Sequence, residues 1–535
     1  MNDVIVIGSG AGAVNAAWPL IERGLRVTLL DYGNTDARYA ELIPSRSWSE
    51  IRRTDPEQHR YFLGDRFEGI AFGKVRVGAQ LTPPRQFIAA DTGRLTPVDS
   101  TSFSVTESLA RGGLAAGWGA GVFPFDDGDL ARTPLSVAEL APHYEAVAAR
   151  IGVCGARDDL LEFLGECEAM MPALELDSGA ERILDRYQRR RGRLNAEGFF
   201  LGTTRLAACT REHRGRGPHR YLDMDFWADT DRSVYRPRWT LDELQGFDNF
   251  EYLDRRFVLS FEERTRDVEV LCRHADTGAR ESHHSRAVVL AAGAIGSARI
   301  ALRSLGRYDH AVPILCNPYT YVPVVNLGML GRAARDRRHS LAQLTAIYRP
   351  LPDSGHVVQA QYYSYRSLLL YKLIKESPLA YRESLRLMRM LVPLIGILGI
   401  HHEDRTTGAK TCVLRRGRSG EPDRLEIDYA LDDAEERGQR AEERRLLSFF
   451  RHLGCWPLKR VQPGHGSNIH YAGTLPFSGD DKELTCEADG RLRGTRAVHL
   501  ADGAVFPYLP AKGLTFTIMA NANRVGSLLA DELGP

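Results

Sequence analysis

The chain has 535 residues, 43% of them apolar and 26% charged, so it holds enough apolar material for large buried cores and too little charge bias for disorder. Lys+Arg 70 against Asp+Glu 69 leaves a net charge of +1, which excludes a general attraction to nucleic acid or to anionic membranes. Seven of the cations are lysine and 63 arginine, and clusters such as Arg189-Arg190-Arg191 read as solvated helix face.

The N-terminal segment runs from Asp3 straight into Val4-Ile5-Val6-Ile7, a β-branched run expected of a strand buried on both faces of a parallel sheet. It has neither the basic region nor the cleavage pattern of a secretory signal. Gly8-Ser9-Gly10-Ala11-Gly12-Ala13 follows and fits G-x-G-x-x-A, and apolar periodicity through Val14, Ala17, Leu20 and Ile21 predicts a helix that closes at Gly24. In such a unit Gly8 permits the turn, Gly10 lets the backbone approach a pyrophosphate with Gly12 beside it, and Ala13 lets the helix pack close to the strand. A second strand, Arg26 to Leu30, ends at Asp31, 21 residues after Gly10 and placed to accept hydrogen bonds from a ribose diol. Strand, turn, helix, strand and acid in that order predict a dinucleotide site, of NAD or FAD, which share an ADP half.

Four further segments add chemistry. Arg111-Gly112-Gly113-Leu114-Ala115-Ala116-Gly117-Trp118-Gly119 is a glycine-rich loop, and Arg286 to Ser297 is an apolar strand leading through Ala291-Ala292-Gly293 into a helix. Asn468-Ile469-His470-Tyr471-Ala472-Gly473-Thr474 contains H-x-x-G-T, and Leu500-Ala501-Asp502-Gly503-Ala504-Val505-Phe506-Pro507 has the frame D-x-S-x-x-P with alanine in the serine position. In this order, with the N-terminal unit, they resemble the glucose-methanol-choline family of FAD-dependent oxidoreductases.

The resemblance implies an α/β fold: a Rossmann-like FAD-binding domain built from discontinuous segments, plus a mixed α/β substrate domain with an antiparallel sheet. The corresponding division is 1–154, 246–305 and 463–535 for FAD and 155–245 and 306–462 for substrate. It implies that Gly112, Gly113, Ala116, Gly117 and Trp118 lie along the flavin, that the strand at Val258 meets adenine, and that Ala292 and Gly293 close the nucleotide site. Asp502 and Gly503 would bond the ribityl or pyrophosphate region, and the helix opening near Thr515 would turn its positive end to the flavin. Some relatives carry a histidine where Gly117 stands and bind FAD covalently; glycine there implies non-covalent FAD.

The implied reaction is oxidation of a hydroxyl to a carbonyl with hydride transfer to flavin N5. His470 is the candidate base or hydrogen-bond partner of the substrate hydroxyl, since a neutral imidazole suits that task. The family's second polar side chain, eleven residues after the motif aspartate, falls on Gly513, a departure from the pattern. Lys512 next to it, and Asn468 and Tyr471 flanking the histidine, are candidates for the missing contact. Because of Gly513, a redox-silent flavoenzyme of lyase or isomerase type stays open, as does a non-catalytic flavoprotein. The electron acceptor, oxygen or another, is equally open.

On the substrate side, Leu368, Leu369, Leu370, Leu373 and Ile374 with Lys372 and Lys375, then Leu385, Leu387, Met388, Met390 and Leu391 with Arg382, Arg386 and Arg389, read as two amphipathic helices with Pro378 near their boundary. Core-facing helices are the favoured reading; a lid or a peripheral membrane contact admitting a hydrophobic hydroxyl-bearing substrate is the other. Tyr362, Tyr363 and Tyr365 are candidates for a ligand cleft. Eight scattered cysteines without a C-x-x-C pair predict buried free thiols and a cytoplasmic protein. The pairs His283-His284 and His401-His402 would point apart, and no metal is assigned. Arginine-rich stretches lack the aromatic interleaving that single-stranded nucleic acid favours.

Overall fold

A computed structural model describes residues 2–69, 82–330, 332, 339–352, 355–364, 378–418 and 420–534. The β-branched run forms the strand Asn2–Ile7, central in a seven-stranded sheet. Its neighbours Val27–Leu30 and Arg280–Leu290 run parallel to it, and Phe250–Leu253 extends the parallel half beyond Val27–Leu30. The strand is buried on both faces. Val4 and Val6 belong to one apolar core with Ala13, Ala17 and Leu20, while Ile5 and Ile7 belong to the larger core opposite. Each such side chain, removed from water, contributes about 1.5–3 kcal/mol.

The strand Arg280–Leu290 changes partners along its length. Arg280 to Ser285 pair antiparallel with Val268–His274, which pairs on with Arg256–Glu263, whereas Val288 to Leu290 pair parallel with Val498–Leu500. Residues near the end of the chain thus complete a sheet begun at residue 2. The helix Thr515–Leu533 lies against the helix Ala11–Glu22, so close that a Cβ on Gly526 would fall 2.2 Å from the Ala16 carbonyl oxygen.

A second sheet has six strands, in the order Cys455–Pro457, Tyr319–Asn326, Ile395–His401, Val358–Tyr363, Leu344–Tyr348 and Phe199–Thr203, every neighbouring pair antiparallel. Alternation sorts its side chains. Val322, Val324, Leu398, Ile400, Val358, Ala360, Leu344, Ala346 and Leu201 form one core with Ile183 of the helix Ser178–Gln188 and Phe449 and Phe450 of the helix Asp433–His452. The opposite face carries Tyr319, Tyr321, Gln359, Gln361, Thr345 and His401. The architecture is the expected one, a nucleotide-binding sheet with helices and a second domain on an antiparallel sheet.

The eight cysteines are free and buried. Among the described residues no helix is long and apolar enough to cross a membrane. Of the two amphipathic helices expected, Tyr381–Leu391 is present, with Leu387 and Leu391 exposed. The first one, with Leu368 to Lys375, and Tyr365 lie outside the described residues.

Candidate active site

Three helices open onto one cavity. The helices Ala11–Glu22, Ala294–Ser304 and Thr515–Leu533 begin at Gly10, Gly293 and Leu514, none has a side-chain cap, and none carries an acid in its first turn. The cavity is lined by Gly8, Gly10, Gly12, Gly293, Ala294, Leu514 and Thr515, among others. Unsatisfied N–H groups at helix N-termini favour anionic ligands, and three of them around one space suit a pyrophosphate. Glycine is required here on steric grounds: Gly8 has φ +97° with a built Cβ 2.7 Å from the Ala291 carbonyl oxygen, and a Cβ on Gly12 would lie 1.9 Å from that of Ala501. Larger residues would push the segments at Ala291 and Ala501 away from the turn; the donor set and the space that these segments line fit FAD.

Ser9 ties the two glycine-rich loops together. Its hydroxyl donates to Asp31 Oδ2 at 2.5 Å and accepts from the Gly112 N–H at 2.9 Å. Asp31 also accepts from the Tyr252 hydroxyl at 3.1 Å, and burial pushes its carboxyl up to about 6. Asp502 accepts from the Ser297 hydroxyl at 2.6 Å and the Ala504 N–H at 2.9 Å, with burial again pushing the carboxyl up to about 6. The structure brings Gly8, Gly10, Gly12, Asp31, Gly113, Val258, Ala292, Gly293, Asp502, Gly503 and Thr515 to the lining. It does not bring Ala13, Gly112, Ala116, Gly117 or Trp118 there. Ala13 packs in the core behind, Gly117 backs onto Ile88, and the Trp118 indole N–H donates to the Tyr235 carbonyl at 2.8 Å.

His470 lies in the chain between Ile469 and Tyr471, which line this cavity; it is not itself among the lining residues. Ile469 holds φ 65°, a strained value for a β-branched residue, at the turn that presents the imidazole. Tyr471 anchors that turn: its hydroxyl donates to the Gly466 carbonyl at 2.8 Å and accepts from the Thr106 N–H at 2.9 Å. The Thr474 hydroxyl donates to the Ala294 carbonyl at 2.7 Å, joining the motif to the start of the helix Ala294–Ser304.

The tautomer of His470 follows from its neighbour Asn317. The Asn317 amide NH2 donates to the carbonyls of His402 and Pro510, both at 2.8 Å, which identifies Oδ1 as the atom facing His470. His470 Nδ1–H therefore donates to Asn317 Oδ1 at 3.1 Å, leaving Nε2 with its lone pair. Burial pushes the imidazole down to about 4, so the ring is neutral around pH 7 and Nε2 is an acceptor.

Two expected contacts are corrected. Lys512 is fully buried, and its ammonium donates to Asp126 Oδ2 and Asp129 Oδ2 at 2.7 Å and to the Phe163 carbonyl at 3.1 Å. Burial opposes the charge, Asp129 and Asp126 outweigh it, and the group is held above its ordinary range. With its donors satisfied there, Lys512 does not reach the cavity. Asn468 is likewise committed: Oδ1 accepts from the His470 N–H at 3.1 Å and the Cys316 thiol at 2.7 Å, and Nδ2 donates to the Asn317 carbonyl at 2.6 Å. It shapes the turn that carries His470.

The residues missed in the sequence are Asn317, His401 and Gln359. Asn317 lies in no motif and meets His470 only through tertiary pairing of Leu315–Cys316 with Tyr471–Ala472. His401 stacks on His470, ring centroids 5.4 Å apart and planes at 18°, while His402 turns the other way to Glu442 and Glu443. The alternation Gln359-Ala360-Gln361-Tyr362-Tyr363 was the available signal for a strand with one polar face. Of the tyrosines expected at a cleft, Tyr362 lies in the apolar core and Tyr363 on the polar face, where its hydroxyl donates to Gln361.

Residues 425–522, which contain His470, Asp502 and Thr515, match the family model described as GMC oxidoreductase. The chain is 25% identical to 6'''-hydroxyparomomycin C oxidase of Streptomyces lividus and 23% identical to paromamine 6'-oxidase of Streptomyces fradiae, in each case over 99% of this chain and 92% of the relative. Among solved structures it resembles pyridoxine 4-oxidase from Mesorbium loti, with a TM-score of 0.57, 15% identity and 98% of both chains covered. It also resembles an FAD-dependent oxidoreductase from Chaetomium thermophilum, with a TM-score of 0.59, 13% identity and 99% of both chains covered. At these identities the solved structures speak for the fold alone.

Proposed function

The chain belongs to the glucose-methanol-choline (GMC) oxidoreductases, FAD-dependent enzymes acting on CH–OH groups, and from that premise we propose that it oxidises a hydroxyl of a small polar ring compound to the carbonyl. The observation that carries this reading is the neutral His470, its Nδ1 bonded to Asn317 and its Nε2 left as an acceptor, on the turn whose Ile469 and Tyr471 line a cavity entered by three helix N-termini. When bound, FAD supplies the acceptor for the hydride equivalent. His470 Nε2 accepts the substrate's hydroxyl proton, Asn317 holds the ring in the tautomer that can do so, and Asn468 fixes the backbone beneath it.

FAD would be held non-covalently by Gly8, Gly10, Gly12, Asp31, Gly113, Val258, Ala292, Gly293, Asp502, Gly503 and Thr515. The three uncapped N-termini favour its pyrophosphate and the negative charge of its reduced form. The division at residues 154, 245, 305 and 462 belongs to this reading. A polar rather than hydrophobic substrate is supported by Gln359, Gln361, Thr345 and His401 on the sheet face toward His470, and by relatives named for oxidation of paromamine and hydroxyparomomycin.

The test is anaerobic mixing of the purified protein with paromamine, pyridoxine and methyl glucoside while the visible flavin band is followed. Bleaching by one of them is expected, slowed roughly 10²–10⁴-fold by His470→Ala. Flavin that stays oxidised with all of them would point to redox-silent chemistry. Acid precipitation should leave the flavin in the supernatant.

A further inference from the structure

A Cβ built on Gly513 would lie 3.9 Å from Cε1 of His470 and 3.3 Å from Cδ2 of Phe123. Position 513 therefore does face His470, but it offers no polar group, and the nearest side chain there is the Phe123 ring. On another side of His470 stands His401, stacked in near-parallel planes.

His401 sits in a row. On the six-stranded sheet it is directly opposite Gln359 on one neighbouring strand and Tyr319 on the other, so the three side chains share the face toward His470. Gln359 is 1% exposed, and neither its Oε1 nor its Nε2 has a partner; His401 Nδ1 is buried and unpartnered as well. Buried polar atoms are paired in the great majority of cases, so three unpaired ones on adjacent side chains mark a place where a ligand supplies the partners. An amide donor, an amide acceptor and an imidazole nitrogen together match a ring that carries neighbouring hydroxyl or amino groups. Burial and the adjacent His470 hold the His401 imidazole well below its ordinary range, so it meets such a ligand neutral.

Resting on the function proposed above, we propose that His401 hydrogen-bonds the reacting hydroxyl in place of the polar side chain that Gly513 lacks. Gln359 pairs with a neighbouring hydroxyl or amino group of the same substrate. The substrate sheet thus supplies both groups that orient the alcohol on His470, and it selects substrates with more than one polar substituent.

The FAD-loaded wild type, His401→Phe, His401→Gln and Gln359→Leu would be compared with paromamine as the probe and cyclohexylmethanol, which has a single hydroxyl, as the control. Phenylalanine keeps the stacked ring and leucine the volume. Flavin bleaching and calorimetric binding would both be read, with thermal unfolding and flavin content as checks on folding. His401→Phe is expected to raise the half-saturating paromamine concentration about tenfold or more and to slow bleaching at saturation, with partial rescue in His401→Gln. Gln359→Leu is expected to raise half-saturation for paromamine by a similar factor and to leave cyclohexylmethanol unchanged. Unaltered paromamine binding and bleaching in the variants, an equal loss for both alcohols in Gln359→Leu, or no binding of paromamine to the wild type would each overturn the inference; His401→Phe, which removes the partner of the reacting hydroxyl, should weaken both alcohols. Bleaching that is the same in all four proteins sinks the inference and leaves the oxidation standing. Paromamine binding that weakens in both variants without any bleaching sinks the oxidation and leaves the subsite standing.

Discussion

Asn317 decides which nitrogen of His470 carries the proton, and through that whether the ring could serve as the base proposed for it. Its two donors are spent on backbone carbonyls, so its oxygen has one orientation, and in the proposed reaction a wrong tautomer would place an N–H where the substrate's proton would go. Asn317→Leu should slow flavin bleaching about 5- to 150-fold, the equivalent of about 1–3 kcal/mol for a buried donor left without its acceptor, while Asn317→Asp keeps an acceptor and loses less. Stopped-flow bleaching measures both. His470 and Asp502 were legible in the sequence because each sits in a short motif whose spacing survives as local structure. Asn317, His401 and Gln359 were not, because their roles exist only when distant strands pair. Lys512 shows the opposite error: adjacency to position 513 along the chain said nothing of the direction in which its side chain leaves the backbone.

Strands and helices with a strict period were readable; the charged strap that fastens the substrate sheet to its covering helix was not. His356, just before the strand Val358–Tyr363, lies with Nδ1 2.8 Å from Glu403 and Nε2 2.7 Å from Glu442 of the helix Asp433–His452. Burial disfavours the charge on His356, but the two carboxylates outweigh it and push the imidazole up to about 10 from an ordinary 6.5. A group whose pKa is higher folded than unfolded stabilises the fold fully below the unfolded value and loses that contribution as pH rises through the folded one. The urea midpoint should therefore fall between about pH 6.5 and 10 by the equivalent of about 1–3 kcal/mol, and His356→Gln should flatten that fall while lowering stability at pH 6. A midpoint for the variant that follows the wild type across this range would remove His356 from the strap. Nothing in sequence spacing joins 356, 403 and 442; each is an ordinary polar residue until the helix crosses the sheet.

Across the whole molecule, the nucleotide sheet and its βαβ start were apparent in advance, since buried parallel strands and glycine turns leave strong local signatures, while the second domain on an antiparallel sheet was expected only from the family resemblance. The seams between distant segments were not. One such seam is Lys512 with Asp126, Asp129 and the Phe163 carbonyl, where the segment leading into the helix Thr515–Leu533 is fastened to residues hundreds of positions earlier. Removing one partner of a buried ion pair strands the others, so Lys512→Met should destabilise the protein by about 3–5 kcal/mol in a thermal or denaturant unfolding experiment. The flavin spectrum and bleaching rate of the protein that remains folded should be those of the wild type. A rate lost without a loss of stability would return Lys512 to the chemistry.

The strand Val498–Leu500 completes a sheet whose first strand is Asn2–Ile7, and a Cβ on Gly12 would strike the Ala501 carbonyl directly. A nascent chain on the ribosome therefore exposes the glycine turn long before the segment that closes over it has been translated. The cavity wall formed by Asp502, Gly503, Leu514 and Thr515 exists only once the chain has been made past these residues.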